Sequence, residues 1–280
     1  MIIRLSKSDT ALIEQTKELW HKCFNDSNVF LDYYYNERTA PENILCSVER
    51  GRVTGMLHMI PRTVMKQGKR IPVTLIAGVA TDPEFRSRGI AHALLNKAES
   101  VCNAEALILK PADDGLFKFY GSIGYRGICR YTEHLLDFSD FGQLPETALQ
   151  TPTAQHLLEI YNDFACNFDS YELRDEKYFQ SLINETSADK SSLCVCTQSA
   201  YAFCNVENGV CEAHESVGTI TPELISLIKM KSAVHYLKLI YPYKLKLISV
   251  AAECRDKDTV MIKYTSSKAD FGNLLSYFSY

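Results

Sequence analysis

One stretch of the chain reads Pro83-Glu84-Phe85-Arg86-Ser87-Arg88-Gly89-Ile90-Ala91 and separates two segments with different apolar patterns. Residues 73–80 before it are almost continuously apolar, as is typical of a buried strand. Apolar residues after it recur at helical spacing from Ile90 to Cys102. The pattern therefore predicts a strand, a turn and a helix, with two arginines and a glycine where the helix begins.

The start of this predicted helix has the features of an anion-binding site. The first N–H groups of a helix lack intrahelical partners, and the helix dipole adds partial positive charge there. Gly89 carries no Cβ, so an anion can approach the backbone closely, and we expect a phosphate or diphosphate. The spacing Arg86-x-x-Gly89-x-Ala91 differs from Gly-Lys-Ser/Thr loops and from G-x-G-x-x-G. The alternative is a turn with solvated arginines.

A second motif follows a short predicted strand over residues 104–109. It reads Phe119-Tyr120-x-x-x-Gly124-Tyr125 and precedes a predicted strand that runs to Asp137. Together, the two motifs resemble those of the GNAT superfamily of N-acyltransferases. The family patterns are Arg/Gln-x-x-Gly-x-Gly/Ala, which holds the pyrophosphate of acetyl-CoA, and F/Y-Y-x-x-x-G-F/Y. The resemblance implies acetyl-CoA as the cosubstrate.

The resemblance also implies roles for individual residues. Tyr120 matches the family's general acid, which protonates the departing CoA thiolate. A phenol with a pKa near 10 suits a thiol of roughly similar pKa. The alternative is that Tyr120 is a core aromatic residue with a satisfied hydroxyl. The backbone around Val79 and Thr81 would pair with pantetheine. The residues implied for the pyrophosphate are Arg86, Ser87, Arg88, Gly89, Ile90 and Ala91.

Length and composition fit an ordinary globular protein of one large or two smaller domains. The chain has 280 residues, of which 46% are hydrophobic and 23% charged. The net charge of −4 and the absence of a basic tract argue against a nucleic-acid partner. Apolar runs are shorter than the roughly 20 residues of a membrane helix, so no membrane partner is expected. The first residues enter a strand pattern without a signal-peptide layout, so we expect a cytoplasmic protein.

Cysteine and histidine spacing predicts no metal site. The ten cysteines are scattered without a C-x-x-C pair, and the seven histidines show no H-x-x-x-H spacing. His156 and Glu159 share a helix face, but two ligands without a third do not make a zinc site. Without a secretory signal we expect reduced, mostly buried thiols.

The order of predicted elements indicates an α/β fold with an α+β mixed sheet and two domains. Residues 1–140 alternate as β-α-α-β-β-β-α-β-α-β, which matches the GNAT arrangement. The Gly- and Pro-containing stretch 141–146 is the expected linker. Residues 146–280 form the second block, which we interpret as a degenerate GNAT-like domain.

The second block repeats the order of the first without its phosphate turn. It is expected to contain helices over 154–168, 175–185 and 221–231, and strands over 192–197, 201–206, 210–216, 234–240, 245–250 and 259–264. Asn208-Gly209 predicts a hairpin, and Thr221-Pro222 a helix start. No arginine stands between Ser216 and Pro222, where the phosphate turn would be. The alternative is an unrelated α+β domain.

A competent domain followed by a degenerate one resembles the Eis-type acetyltransferases without their C-terminal sterol-carrier-like domain. In those longer proteins the C-terminal carboxylate is proposed as a base, whereas this sequence ends at Tyr280. The run Cys23-Phe24-Asn25-Asp26 resembles their Phe-x-Asp, which lines the amine pocket and implies substrate contacts for Phe24 and Asp26. The alternative is a helix-end hydrophobe and a loop aspartate. Tyr34, between Tyr33 and Tyr35, is a candidate aromatic wall for a cationic amine.

These inferences lead to one preferred function. We expect direct transfer of an acetyl group from acetyl-CoA to a primary amine of a small molecule or peptide, without a metal. His58 and Asp26 are candidates for the base, and a homo-oligomer is left open. The non-enzymatic alternative is a catalytically decayed CoA-binding regulatory or scaffold protein. Transfer from an aminoacyl-tRNA on the same fold is disfavoured by the acidity of the chain.

Overall fold

The protein is described from a computed structural model, which describes residues 1–242, 253–265, 270–272 and 274–275. Within these residues the chain forms two compact units. The first comprises residues 1–127 and 260–270, and the second comprises residues 128–259 and the segment that begins at Phe271. The chain enters the second unit at Ile128, ahead of the linker expected over 141–146, and returns to the first at Val260.

The first unit opens with a strand and two helices, which precede three strands and a helix–strand–helix segment. Its elements are β1 (Ile2–Arg4), α1 (Thr10–Phe24), α2 (Asn28–Tyr33), β2 (Ile44–Glu49), β3 (Arg52–Lys66), β4 (Lys69–Thr81), α3 (Ile90–Val101), β5 (Ala106–Leu109) and α4 (Asp114–Ser122). A π-helix over Tyr34–Arg38 extends α2, and a 3-10 turn over Pro83–Phe85 follows β4. The strand–turn–helix predicted around Gly89 is confirmed by β4 and α3.

The second unit has a corresponding set of elements. They are β6 (Arg126–Asp137), α5 (Ala154–Ala165), β7 (Ser170–Glu172), α6 (Glu176–Ala188), β8 (Ser192–Cys196), β9 (Ala200–Glu207), β10 (Val210–Gly218), α7 (Pro222–Ser232), β11 (Tyr236–Pro242), β12 (Glu253–Tyr264) and β13 (Leu274–Leu275). The chain boundaries between the units fall inside β6 and β12.

Both units contain the same arrangement of strands and crossover helix. In the first, β2, β3 and β4 are antiparallel, and α3 leads from β4 to the parallel strand β5. In the second, β8, β9 and β10 are antiparallel, and α7 leads from β10 to the parallel strand β11. Such a parallel pair needs a crossover, which the helices provide. The mixed α/β fold with a mixed sheet is therefore confirmed.

The last strand of each sheet comes from a distant part of the chain. Residues 261–264 of β12 pair antiparallel with β5 in the first unit. Residues 131–137 of β6 pair antiparallel with β11 in the second unit. The strand after Tyr125 thus does not return to β5, although it follows β5 and α4 in sequence.

The structure confirms two local predictions from the sequence, a hairpin and a helix start. The Asn208-Gly209 hairpin is confirmed, with φ of 50° and 79° at these residues. Thr221 caps α7 as predicted, because its hydroxyl accepts from the backbone N–H of Leu224. The second of the two helices expected near the start of the chain ends at Tyr33 and passes into a π-helix. The strand expected over 245–250 and the residue Tyr280 lie outside the described residues.

The core of the first unit forms between the sheet and the helices α3 and α4. Leu94, Leu95 and Ala98 of α3 are buried, which confirms the predicted apolar face. They belong to one apolar cluster with Ile76 of β4 and Tyr120 of α4. Burial of this apolar surface is what holds α3 at the end of β4.

Candidate active site

The strands β4 and β5 of the first unit are paired over only part of their length. Their ladder ends where Leu75 pairs with Ile108, whereas β4 continues to Thr81. Beyond Leu75, β4 is therefore outside the ladder with β5. The predicted pantetheine residues Val79 and Thr81 lie in this part of the strand. An extended acyl-CoA arm is suited to hydrogen bonding with such a strand edge.

A β-bulge interrupts β4 in the same segment. Met56 of β3 pairs with Ala80 and His58 pairs with Ala77, so two residues of β4 face one of β3. Gly78 has a φ of +55°, and a Cβ on it would overlap the ring of Trp20. A bulge re-aims the backbone groups next to it, and here it does so beside Val79.

The turn after β4 presents backbone and guanidinium groups to solvent. Gly89 is the N-cap of α3 with a φ of +75°, and no side chain at this position caps the helix. Space around Gly89 is open, so the positive φ is the constraint that favours glycine there. Arg86, Ser87 and Arg88 are exposed beside it. The predicted pyrophosphate residues are therefore adjacent at an uncapped helix N-terminus.

Asp82 anchors this turn to two other elements. Its buried carboxylate accepts from Lys22 of α1 at 2.9 Å and from Arg52 of β3 at 2.7 Å. It also caps the 3-10 turn by accepting from the backbone N–H of Glu84 at 3.1 Å. Burial alone would raise the pKa of Asp82, but these hydrogen bonds outweigh it and lower the pKa to about 2. Asp82 is ionised at neutral pH.

Two arginines enclose an aromatic ring in the turn. The Phe85 ring lies 5.2 Å from the guanidinium carbon of Arg52 and 4.8 Å from that of Arg88. Arg86 donates to the carbonyl of Thr81 at 3.4 Å. These contacts orient the arginines without removing their positive charge.

Tyr120 lies at the end of α4 with only 6% of its surface exposed. Its ring is 5.7 Å from that of Tyr125, and it shares the apolar cluster with Ile76 and Leu109. Ile76 is the first β4 residue past the ladder, and Leu109 is the last residue of β5. Tyr120 thus lies in the same apolar cluster as the first residue of each strand beyond the β4–β5 ladder.

Trp20 links the predicted acceptor residues to the bulge. Its indole N–H donates to the Asp26 carboxylate at 2.8 Å, and its ring packs against Gly78. Phe24 is 43% exposed, and its ring lies 5.2 Å from that of Trp20. Phe24 and Asp26 are therefore both in contact with the side chain that packs against the bulge.

Tyr34 and His58 are buried beneath this group. Tyr34 is fully buried, and its hydroxyl lies 3.0 Å from Nδ1 of His58. The hydroxyl of Tyr35 lies 3.5 Å from Nε2 of the same ring. Burial lowers the pKa of His58 to about 3, so the imidazole is neutral at pH 7 and a weak proton acceptor. Tyr34, the predicted aromatic wall, is thus fully buried in the first unit.

The second unit has a different arrangement at the corresponding strand. Its ladder between β10 and β11 ends where Ala213 pairs with Leu239, and β10 continues to Gly218. In this continuation, the buried Glu215 carboxylate accepts from Arg174 at 2.5 and 3.2 Å. The helix that follows begins with the Thr221 cap and has no arginine before it. The arginine-containing turn over residues 86–91 of the first unit therefore has no counterpart in the segment 216–222.

Three residues of the site were not identified from the sequence: Lys22, Arg52 and Asp82. A local signal existed for Asp82, because an aspartate directly before Pro-Glu is a typical cap for a short helical turn. No local signal joins it to Lys22 and Arg52, which lie far away in the sequence.

Comparison with known protein families finds one match, which lies almost entirely within the first unit. Residues 3–128 match the family described as "Acetyltransferase (GNAT) domain". This segment contains the part of β4 beyond its ladder with β5, the turn over residues 86–91 and Tyr120. Over residues 3–128 the chain is therefore similar to GNAT acetyltransferase domains. No curated protein sequence matches the chain significantly.

Solved structures share the fold over nearly the whole chain. A conserved protein from Enterococcus faecalis V583 has a TM-score of 0.72 at 14% identity, covering 95% of this chain and 72% of that one. A GCN5-related N-acetyltransferase from Anabaena variabilis has a TM-score of 0.69 at 18% identity, covering 95% and 73%. Eis1 from Mycobacterium abscessus has a TM-score of 0.67 at 14% identity, covering 95% and 74%. At these identities the likeness is one of fold.

Three further observations concern the described residues. In the part of the chain that the structure describes, no group of three or more His, Cys, Asp or Glu side chains could hold a metal ion. No helix among the described residues is long and apolar enough to cross a membrane. Nine of the ten cysteines have described side chains, and no disulfide joins them.

Proposed function

We propose that this protein is an acetyl-CoA-dependent N-acetyltransferase that transfers the acetyl group directly to a primary amine. The observation that carries the proposal is the position of an uncapped helix N-terminus at the end of a half-paired strand, with Tyr120 in the adjacent cluster. The helix N-terminus would bind the diphosphate, the free edge of the strand would bind the extended thioester arm, and Tyr120 would serve the departing thiolate.

Binding of acetyl-CoA would use the turn and the strand edge. The diphosphate would accept hydrogen bonds from the backbone N–H groups of 87–91 and from Arg86 and Arg88. The pantetheine amides would pair with β4 around Val79 and Thr81. Asp82 would act at a distance, since it fixes the turn between α1 and β3 and leaves the arginines to the ligand.

The transfer step would begin with attack of a neutral amine on the thioester carbonyl carbon. Backbone N–H groups beside the bulge at Gly78 would stabilise the charge that develops on the carbonyl oxygen. The C–S bond would then break as the C–N bond is completed, and Tyr120 would give its proton to the thiolate. Tyr120 would regain a proton from solvent, and the amine would release its excess proton.

The acceptor amine would be bound near Phe24 and Asp26. Asp26 supplies a carboxylate for an ammonium group, and Phe24 an exposed ring for its apolar part. Asp26 remains the candidate that could receive the amine proton through water. His58 is not suited to that task, because its pKa of about 3 makes it a far weaker base than an amine.

The experiment is a thiol-release assay on acetyl-CoA with a panel of polyamines, aminoglycosides and peptides with free N-termini. The proposal expects thiol release that depends on one class of amine, together with a product whose mass has increased by one acetyl group. Binding of acetyl-CoA without any amine-dependent release would favour the alternative of a decayed regulatory or scaffold protein.

A further inference from the structure

The second unit contains a pocket that the proposed acyl transfer does not use. Its volume is about 320 Å³, within the range of small-molecule sites. It is lined by one face of α5, by the turn between β8 and β9, and by the end of β10. The strand can approach the turn this closely because residue 218 is glycine, since a Cβ there would overlap the Ser199 carbonyl.

The pocket has an apolar floor and an acidic wall. Ile160 and Phe164 are buried and form the apolar part. Glu159 and Asp163 follow the same face of α5 at a spacing of one helical turn. Side chains at this spacing are neighbours on a helix surface, so the two carboxylates form an anionic pair above the floor.

The remaining polar groups of the wall add hydrogen-bond acceptors. Nε2 of His156 lies 3.0 Å from the carbonyl oxygen of Thr197 and must donate to it, because a carbonyl only accepts. In the neutral imidazole, Nδ1 is then an acceptor. Glu159 accepts from Gln155 through one oxygen at 3.0 Å, which leaves capacity on the other. The pocket thus offers several acceptors at fixed positions.

None of the described residues that line the pocket is a lysine or an arginine. The first unit differs at the corresponding place between its first helix, the turn after β2 and the end of β4. There Gln15 donates to the Gly51 carbonyl at 3.2 Å, and Lys22 and Arg52 both contact Asp82. Two cations of the protein therefore contact the carboxylate in the first unit, whereas none of the described pocket residues supplies a cation to Glu159 and Asp163.

We propose that this pocket binds a small organic di- or polyamine, at a site separate from acyl transfer. Two ammonium groups would pair with Glu159 and Asp163, and the aliphatic chain between them would cover Ile160 and Phe164. A divalent metal is a poorer fit, because the described residues include no group of three metal-ligating side chains. The apolar floor also favours an organic cation over a hydrated ion.

The test is calorimetric titration of the full chain with spermidine at low salt, without acetyl-CoA. We expect binding that weakens with added NaCl and weakens about tenfold or more in the Glu159→Gln/Asp163→Asn double variant. The matched control is Glu176→Gln/Glu207→Gln, which removes two exposed carboxylates of the same unit outside the pocket. Its affinity is expected within about twofold of the unmodified protein.

Three results would overturn the proposal. They are no binding by the unmodified protein at millimolar spermidine, unchanged affinity in the Glu159/Asp163 variant, and loss of binding in Asp26→Asn with retention in that double variant. The last result would place spermidine at the proposed acceptor region of the first unit. Because the titration involves no turnover, a failure of the acyltransferase proposal would leave its outcome unaffected.

Discussion

Asp82 and Tyr120 differ in how much of their role is visible in the sequence. Tyr120 belongs to a short motif whose spacing can be read directly. Asp82 precedes a proline, but its anchoring of the turn depends on hydrogen bonds from Lys22 and Arg52. These side chains reach it only when α1, β3 and β4 are assembled. Sequence patterns report neighbours along the chain, and they do not report which cation will face a buried carboxylate.

Replacement of Tyr120 tests its proposed role as the general acid. We expect Tyr120→Phe to lower kcat by about a hundredfold, because a positioned acid contributes that order of rate, with the Kd of acetyl-CoA almost unchanged. Steady-state thiol release and calorimetry measure the two quantities. Tyr125→Phe is the matched control, since the Tyr125 hydroxyl is buried without a hydrogen-bond partner among the described residues. Equal kcat in both variants would remove Tyr120 from the acid role.

Replacement of Asp82 tests the anchoring of the phosphate turn. We expect Asp82→Asn to weaken acetyl-CoA binding about tenfold, because the turn loses its attachment to Lys22 and Arg52. Asp137→Asn is the control: Asp137 also caps a 3-10 turn, but in the second unit. Calorimetry on both variants measures the effect, and equal affinity would contradict it.

The same variant predicts a pH dependence of stability. The pKa of Asp82 falls from 3.8 to about 2 on folding, so its stabilisation is present above pH 3.8 and is lost as pH falls through about 2. Lys22 and Arg52 are 43% and 48% exposed, so solvent screening limits the effect to about 1 kcal/mol. Denaturant unfolding should show this difference at pH 7 and its disappearance near pH 2.

At the scale of elements, periodicity predicts β4 and α3 but not the bulge in the pairing between β3 and β4. The bulge depends on the register between β3 and β4, where Met56 pairs with Ala80 and His58 with Ala77. Within this bulge, Gly78 packs against Trp20 from a helix far earlier in the chain. The π-helix over Tyr34–Arg38 places Tyr34 and Tyr35 against His58, which is also distant in sequence.

The bulge can be tested by adding one methyl group. Gly78→Ala combines a positive φ with overlap of the Trp20 ring, so we expect a loss of about 2–4 kcal/mol in the free energy of unfolding. Gly68→Ala is the control, because Gly68 has a φ of +74° with open space around it. It should cost only about 1 kcal/mol from backbone strain. Equal losses in urea unfolding would contradict the tight packing.

At the scale of the molecule, the repeat of two helices, three antiparallel strands and a crossover helix could be predicted from the order of patterns. The origin of the last strands could not, because β12 and β6 pair with strands far from them in sequence. The buried network of Arg174 with Glu172 and Glu215 also escaped prediction. A charged residue gives no sign in the sequence that it will be buried.

This buried network should contribute to the second unit's stability far more than a surface pair. Glu215→Gln leaves the fully buried Arg174 guanidinium with one fewer counter-charge, so we expect a loss of about 3–5 kcal/mol. Glu212→Gln is the control, because its pair with Lys238 is partly exposed and should contribute less than about 1 kcal/mol. Urea unfolding of both variants measures the difference, and a small loss for Glu215→Gln would contradict the assignment.

The central claim is that each chain has one acetyl-CoA site, at the turn 86–91 of the first unit. Calorimetric titration of acetyl-CoA into the unmodified protein and into Gly89→Asp tests it most directly. The account predicts one bound molecule per chain and an affinity that falls at least about tenfold when a carboxylate is placed at the helix N-terminus. Two bound molecules per chain, or unchanged affinity in Gly89→Asp, would contradict it.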